Sequence, residues 1–429
     1  MNVDLFCLPL KGGVDSIAPG IVQYLVPAAP AEPLVSHIRL VDKYSVNPPT
    51  TYLSKIFQDR LRERKDYIEY RQGNLQNPAG VIDKVYDDPA PDGRPYTYVI
   101  DIAGNLAYNL PPEVHIQHTF RVAVALAKAA AKRPHIQSYI RMVGPFSEHT
   151  DFKKKWKESE EKGWRPWGAR GTWWLEAARA VASIPNLPLV VIRCATVYGP
   201  EIIRLEACIT ILCGLIYKSI DKEMKFLWNP RMRKNTIHIY DLAGAIWACA
   251  QWIADKDRAT ANALAGDILP PSGDKDVPNV PDAVPKSAGG ILVPCFNITD
   301  DGDTTQETMN NAVGRLFGIK VGFHGTITNV ISGMRMRDVA EDVNESHMQE
   351  WGKIIQMANP PVPRTPLSPY VDLHILDEHG IAMDNEKLKR IVGYKMTYPS
   401  FCEDTIRQFI NWARSEGIWP ETEFSAHIQ

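Results

Sequence analysis

Paired cysteines, a membrane-length apolar run and an excess of either charge are all missing from this sequence. Its seven cysteines stand at 7, 194, 208, 213, 249, 295 and 402, with no C-x-x-C among them. That spacing offers no disulfide framework and no zinc or other metal site, and it points to a reducing compartment. No apolar run approaches the roughly 18 residues of a membrane span, and the N-terminus reads as a strand rather than a signal peptide. The chain therefore reads as soluble and cytoplasmic, and the sequons at Asn297 and Asn344 as chance. Forty-eight Lys and Arg against 50 Asp and Glu leave a formal charge of −2 and a pI of about 6.6. This balance lacks the basic footprint of a nucleic-acid binder. The local run Lys153-Lys154-Lys155 is answered by Glu158, Glu160 and Glu161, and reads as a solvated helix face.

What is present is the material of a large globular fold. The 429 residues are 45% hydrophobic and 23% charged, which suits one large domain or two intimately joined ones. The chain is organised around its first 25 residues. An apolar run from Val3 to Leu10 leads into Gly12-Gly13, and Ile17, Ile21 and Leu25 then recur at helical spacing. Strand, glycine turn and helix make the phosphate-cradling start of a Rossmann βαβ unit, with Gly12, Gly13 and Ile17 as candidate cofactor contacts. In the register G-x-x-G-x-x-G the three positions are Gly12, Asp15 and Ala18. Alanine suffices where helix packs on strand. Asp15 brings a Cβ and a negative charge to the place where backbone meets phosphate. The turn keeps its shape and loses part of its chemistry.

The strand HIRLVDK ends on Asp42, where a ribose hydroxyl is held in such folds, or where a strand-end acid simply caps a loop. IEYRQGNL (68–75) and YTYVIDIAGN (96–105) read as the third and fourth strands. The small residues closing the fourth, Ala103 among them, leave room for a flat ring or ribose at the sheet edge. A long Ala-rich helix (His115 to Arg133), the strand SYIRMVG (138–144), a helix over 174–184 and the strand with its turn over 187–200 continue the alternation. Strands alternating with helices predict an α/β, doubly wound parallel sheet. KFLWN (225–229) and 235–252 add a further strand and helix. We divide the chain into a Rossmann-type domain (1–266), a flexible Pro/Gly-rich loop (267–290) and a smaller, mainly helical lobe (291–429). In that lobe, Met334 to Met357 forms an amphipathic helix with Met336, Val339, Val343, Trp351 and Ile354 on its buried face, and a terminal helix runs from Tyr398 to Ser415.

Several stretches together resemble the extended short-chain dehydrogenase/reductase family, in its NAD-dependent epimerase/dehydratase-like branch. GGVDSIAPGIVQYL is similar to the family's glycine turn, Asp42 to its second-strand acid, and Gly73-Asn74-Leu75 to its G-D-L. VIRCATVYGP is similar to its sixth-strand signature at Arg193, Tyr198, Gly199 and Pro200. NTIHIYDLAGAI, with His238 and Asp241, and the tail from Asp384 to Trp412 complete the likeness. The resemblance implies NAD or NADP as cofactor, held in part by Asp42 and Asn74, with the C-terminal lobe binding substrate. It also implies a homodimer through two helices or a place in a larger assembly.

The residues that carry the family's chemistry are absent. Its mechanism needs Y-x-x-x-K, and none of the sixteen tyrosines has Lys four residues on. Aligning LEAARA on the family's helix puts Arg170 at the Tyr position and Trp174 at the Lys position. The catalytic hydroxyl falls near Val143-Gly144, with Ser147 the nearest candidate, and Asp101 stands where the family is neutral. Arginine cannot serve as a general acid at neutral pH. Three readings follow. In the first, the pocket persists and does redox-neutral work (isomerisation, cyclisation or dehydration) on a small apolar metabolite. Its candidate residues are Tyr108, Ser147, His149, Arg170, Trp174 and Tyr198, with Arg170 stabilising an oxyanion and His149 moving a proton. In the second, the protein is a catalytically silent subunit or binding module; the tryptophans crowded at 156, 164, 167, 173 and 174 either line a pocket or anchor an interface, and a solvent-exposed cluster would favour the interface. In the third, an NAD(P)-dependent oxidoreductase works with substitute residues. Asp15 weighs against the third.

Overall fold

In the computed structural model the chain is described over residues 1–6, 17–76, 80–147, 153–426 and 428. The glycine turn with Gly12, Gly13 and Asp15 lies outside them, as does His149. The first half alternates strand and helix: β1 (Asn2–Phe6), α1 (Ala18–Leu25), β2 (His37–Asp42), α2 (Lys55–Glu63), β3 (Ile68–Gln72), α3 (Val81–Asp87) and β4 (Tyr98–Asp101). The long helix expected over 115–133 forms in three pieces, α4 (Pro112–His115), a wider turn (Ile116–Phe120) and α5 (Arg121–Ala131). Then come β5 (Ser138–Val143), α6 (Gly168–Ala182) and β6 (Leu189–Cys194). β2, β5 and β6 are buried along their whole length, as parallel strands covered by helices on both faces must be.

The second half supplies β7 (Thr196–Tyr198), α7 (Glu206–Ser219), β8 (Met224–Phe226), β9 (Thr236–His238), α8 (Ile239–Ile253), α9 (Arg258–Ala265), β10 (Gly266–Leu269) and β11 (Ile291–Ile298). It ends with α10 (Gln306–Phe317), β12 (Val321–Phe323), α11 (Thr326–Met334), α12 (Met336–Met357), α13 (Leu373–Leu376) and α14 (Glu403–Ser415). Eight strands make one sheet in the order β10–β11–β6–β5–β4–β1–β2–β3. All neighbours are parallel except β10 and β11. The chain winds outward from β1 through β2 to β3, then returns and winds the other way from β4. The order reverses between β1 and β4, and a crevice opens there at the C-terminal strand ends. The fold is therefore the α/β, doubly wound Rossmann-type sheet that the sequence predicts.

Three cores hold it. α1 and α8 cover one sheet face, α3, α5 and α6 the other, and α7, α10, α12 and α14 pack together as the C-terminal lobe. Three arginines lie fully buried in strands, each with a partner close by. Arg39 pairs with Glu69 at 2.8 Å, Arg141 with Asp101 at 2.8 Å, and Arg193 donates to the Asn297 side chain at 2.8 Å. Among the described residues no helix is long and apolar enough to cross a membrane.

Several boundaries differ from the sequence expectation. β10 lies inside the stretch assigned to the flexible loop, and β11 belongs to the main sheet rather than the lobe. β11 gains its place by pairing with β6, an interaction between residues about a hundred positions apart that no local pattern reports. In α12 the buried stripe is Ala340, Asn344, His347, Trp351 and Ile354, while Met336, Val339 and Val343 are half-buried. The terminal helix starts at Glu403 and not at Tyr398, because Asp241 accepts the Thr397 and Tyr398 amides at 2.9 and 2.6 Å and takes those two donors out of any helix.

Candidate active site

A cleft of about 590 Å³ lies over the C-terminal ends of β4, β5 and β6, bounded on its outer side by residues 366–381 of the C-terminal lobe. Ligand sites commonly span roughly 300–1,000 Å³. The sheet and the residues just past its strands contribute Met142, Gly144 and Cys194 to Val197, the start of α1 contributes Ile17, and the β4–α4 connection contributes Leu106 to Leu110. α6 supplies Arg170 and, just before its start, Trp167.

The start of α6 explains how those two residues reach the cleft. The helix begins at Gly168, six residues before the expected 174, with Gly168 at φ +64°. The Trp167 amide donates to the Phe146 carbonyl at 2.7 Å, and a Cβ on Gly171 would stand 2.4 Å from that same oxygen. Two glycines thus let the helix terminus press onto the end of β5, which turns Arg170 inward. Arg170 is 5% exposed, donates Nη1 to the Leu106 carbonyl at 2.8 Å and lies 4.1 Å from the Phe146 ring centre and 5.2 Å from that of Tyr108. Its Nε is buried with no partner among the described residues. Burial lowers its pKa to about 10 against the opposing pull of Tyr108 and Asp372, so it remains a cation at neutral pH.

Aromatic rings form the walls. Trp167 packs against Tyr108 at 4.6 Å and stacks on His379 at 3.8 Å and 10°. Tyr108 also meets His374, 5.4 Å between ring centres. His374 is pulled down to about 3 by burial first and then by Arg170 and Lys234, and its Nδ1 is buried without a partner among the described residues. Lys234 is itself paired with Glu206 of the cleft at 2.9 Å.

The sequence candidates divide. Arg170 and Tyr108 meet in the cleft, joined by Ile17. Trp174 does not reach it. The indole is fully buried, donates Nε1 to the Asn105 carbonyl at 3.0 Å and lies so close to Gly104 that a Cβ there would stand 2.2 Å from the ring. Tyr198 is also withdrawn: it donates to the Ser400 carbonyl at 3.0 Å and packs edge-on against His238 and Phe401. Both are corrected to structural roles. Ser147 is buried beside Pro166 and is not among the cleft-lining residues. His374 and His379 were missed because their segment, YVDLHILDEHG, carries no periodic pattern that would place it near β4 or β5.

A nicotinamide dinucleotide can be tested against the residues at both ends of the crevice. At the ribose end Asp42 closes β2 as expected, fully buried, with Oδ1 accepting the Tyr44 amide at 3.1 Å. Asn74 caps Gln76 with its side chain at 3.1 Å, exposed, and Ala103 is buried with its carbonyl accepting from Arg141 at 2.7 Å. At the other end, the place of a lysine that would hold the nicotinamide ribose is filled by the Trp174 indole, with Asp101 sealed beneath by Arg141 and by Tyr139, whose hydroxyl donates to it at 2.9 Å. The reacting end of such a site does not fit. Among the described residues no group of three or more His, Cys, Asp or Glu comes together to hold a metal.

No family model and no curated protein matches the chain. Solved structures do. Across 98% of both chains it is similar to the dTDP-glucose 4,6-dehydratase of Bacillus anthracis, solved in complex with NAD, at a TM-score of 0.56 and 14% identity. It is similar to the UDP-glucose 4-epimerase of Thermotoga maritima, solved with UDP-glucose, at a TM-score of 0.55 and 12% identity over 97% of this chain and 99% of that one. Pal from Bacillus thuringiensis gives 0.56 and 10% over 97% and 99%. The chain thus has the Rossmann-type fold seen in extended short-chain dehydrogenase/reductase enzymes of the epimerase/dehydratase kind. Identities this low show the fold alone.

Proposed function

We propose that the cleft binds a small, largely apolar molecule and performs redox-neutral chemistry at its carbonyl, with Arg170 stabilising the oxygen as it becomes negative. The observation that carries this reading is Arg170 itself: a guanidinium buried among aromatic rings, with Nε unpartnered among the described residues and no carboxylate bonded to it there. In a water-poor site such a donor acts on developing charge with little screening. The chemistry is isomerisation, cyclisation or dehydration of a carbonyl compound without nicotinamide. The crowded tryptophans favour this over the silent-subunit reading, since Trp164, Trp173 and Trp174 are buried and Trp167 faces the cleft.

The test is turnover without cofactor. Apolar cyclic ketones are incubated with the protein in D2O, and exchange of the protons next to the carbonyl is followed by NMR. Exchange above the buffer rate is expected, reduced about 100- to 1,000-fold in Arg170→Gln, the usual cost of removing one oxyanion donor. NADH and NADPH are added in parallel and melting is followed, because a ligand at 100 times its Kd stabilises by about 2.7 kcal/mol. We expect no shift. A clear shift with NADH, and ketone conversion that depends on it, would replace this reading with an oxidoreductase that uses Asp42 and substitute residues.

A further inference from the structure

We propose that His374 is the proton carrier of this site, a base whose hold on a proton strengthens as negative charge develops on the oxygen facing Arg170. The inference rests on the reading of the cleft given above and adds a residue that sequence alone does not point to. Its geometric basis is the shared wall. Tyr108 lies 5.4 Å from the His374 ring and 5.2 Å from the Arg170 guanidinium, and Trp167 lies 6.3 and 5.8 Å from the same two groups. Both side chains line one cleft, and each has a buried nitrogen without a partner among the described residues, Nδ1 of His374 and Nε of Arg170.

Burial first, and then the surrounding charges, explain why the base is latent. Around His374 stand Arg170 from α6, Lys234 ahead of β9, Tyr108 from the β4–α4 connection, Glu206 at the start of α7, and Asp372 and His379 on its own segment. Lys234 is already neutralised by Glu206. Asp372, at the helix N-cap, is exposed. His379 is stacked on Trp167 and donates Nε2 to the Pro145 carbonyl at 3.3 Å. Arg170 is therefore the positive charge that an incoming ligand oxygen compensates. Once an oxyanion sits there, the repulsion that adds to burial in keeping His374 unprotonated is relieved, and the imidazole holds a proton more strongly.

The step balances without an oxidant or reductant. A proton leaves the carbon beside the carbonyl for a His374 nitrogen. The C–H electron pair becomes a C=C bond, and the C=O π pair moves onto the oxygen facing Arg170. In a β,γ-unsaturated carbonyl compound the ion formed is a dienolate, and return of the proton from His374 to its γ-carbon, with the oxygen's electron pair re-forming C=O and the remaining C=C moving into conjugation, gives the α,β-unsaturated isomer.

Phenylacetate is the probe, since it offers an apolar ring and a fixed oxyanion. Histidine nitrogens are followed by NMR against pH in the wild-type protein, alone and saturated with phenylacetate, with His374→Gln to assign the signal. Free His374 should stay neutral at and above a pH of about 5. With the probe bound, its titration should move up by at least about one pH unit, with proton uptake seen by calorimetry in two buffers and lost in His374→Gln. If phenylacetate binds in a way that Arg170→Gln abolishes, yet His374 stays neutral and no proton is taken up, the proton-carrier role is wrong while the oxyanion site stands. If phenylacetate does not bind, or binds Arg170→Gln equally well, the oxyanion site itself fails and this proposal with it.

Discussion

At position 174 a tryptophan stands where the resembling family keeps a cation, and its surroundings show what the exchange does. The indole is held by a hydrogen bond from Nε1 to the Asn105 carbonyl, by the Phe146 ring at 5.4 Å and by the Arg141 guanidinium 5.0 Å away. It occupies space that only a glycine at 104 leaves open. The indole is thus part of the core, and a lysine cannot take its place without displacing packed rings. Trp174→Ala should cost about 3–5 kcal/mol in urea unfolding, and Trp174→Lys more, because it buries a second cation beside Arg141. A loss below about 1 kcal/mol in either would show that the indole is not packed as described. Arg170, one helical turn earlier, is the opposite case: its surroundings leave hydrogen-bonding capacity unused.

Among the elements, the outer wall of the cleft is the one whose position depends most on distant partners. Residues 366–381 carry little regular structure of their own, and α12 clasps their Val371 backbone through one side chain. Asn344 donates Nδ2 to the Val371 carbonyl at 2.9 Å and accepts the Val371 amide on Oδ1 at 2.7 Å, which reproduces a strand-like pair of bonds. At the far end Ile381 bridges to Lys234. Asn344→Leu orphans both Val371 groups, at about 1–3 kcal/mol for each buried group left unpaired, and the loss should be local. Hydrogen exchange at the Val371 amide should speed up by about tenfold or more while β5 and β6 amides are unchanged; equal acceleration in those strands would mean that the clasp is global. This wall is also where sequence reasoning ran out. β2, β5 and β6 were legible because each is an apolar run broken by a single arginine, and α1 because Ile17, Ile21 and Leu25 keep helical spacing. Arg170, Tyr108 and Trp167 could be singled out in the inner wall. The buried stripe of α12 was misread because it includes Asn344 and His347, whose burial depends on partners in other elements. His374 comes to Arg170 through tertiary packing alone, and no spacing within YVDLHILDEHG announces it.

For the molecule as a whole, the question is how the C-terminal lobe is joined to the sheet, and one joint centres on two buried carboxylates. Glu416, just past α14, accepts the Lys55 and Ile56 amides at 2.5 and 3.0 Å and so caps α2 of the opposite half. Glu201, 3% exposed and at φ +72°, accepts the Gln23 side chain from α1 at 2.6 Å and the Ser54 hydroxyl at 2.7 Å. Burial raises the Glu201 pKa from an ordinary 4.5 to about 7, with Glu416 adding repulsion and the Ser54 and Gln23 hydrogen bonds opposing the rise. The folded protein therefore holds a proton that the unfolded chain releases between pH 4.5 and about 7. The resulting stability is fully present below pH 4.5 and is lost as pH rises through that window. At pH 8 a buried, ionised carboxylate remains in the joint. Glu201→Gln keeps an acceptor for Ser54 and Gln23 and removes the charge, so it should stabilise the protein by on the order of 1–3 kcal/mol at pH 8 and by little at pH 4.5. Melting temperatures of both proteins across pH 4.5 to 8 decide the matter. Parallel curves would exclude Glu201 as a titrating group, while curves that converge toward acid pH assign the difference between the two proteins to the joint between sheet and lobe.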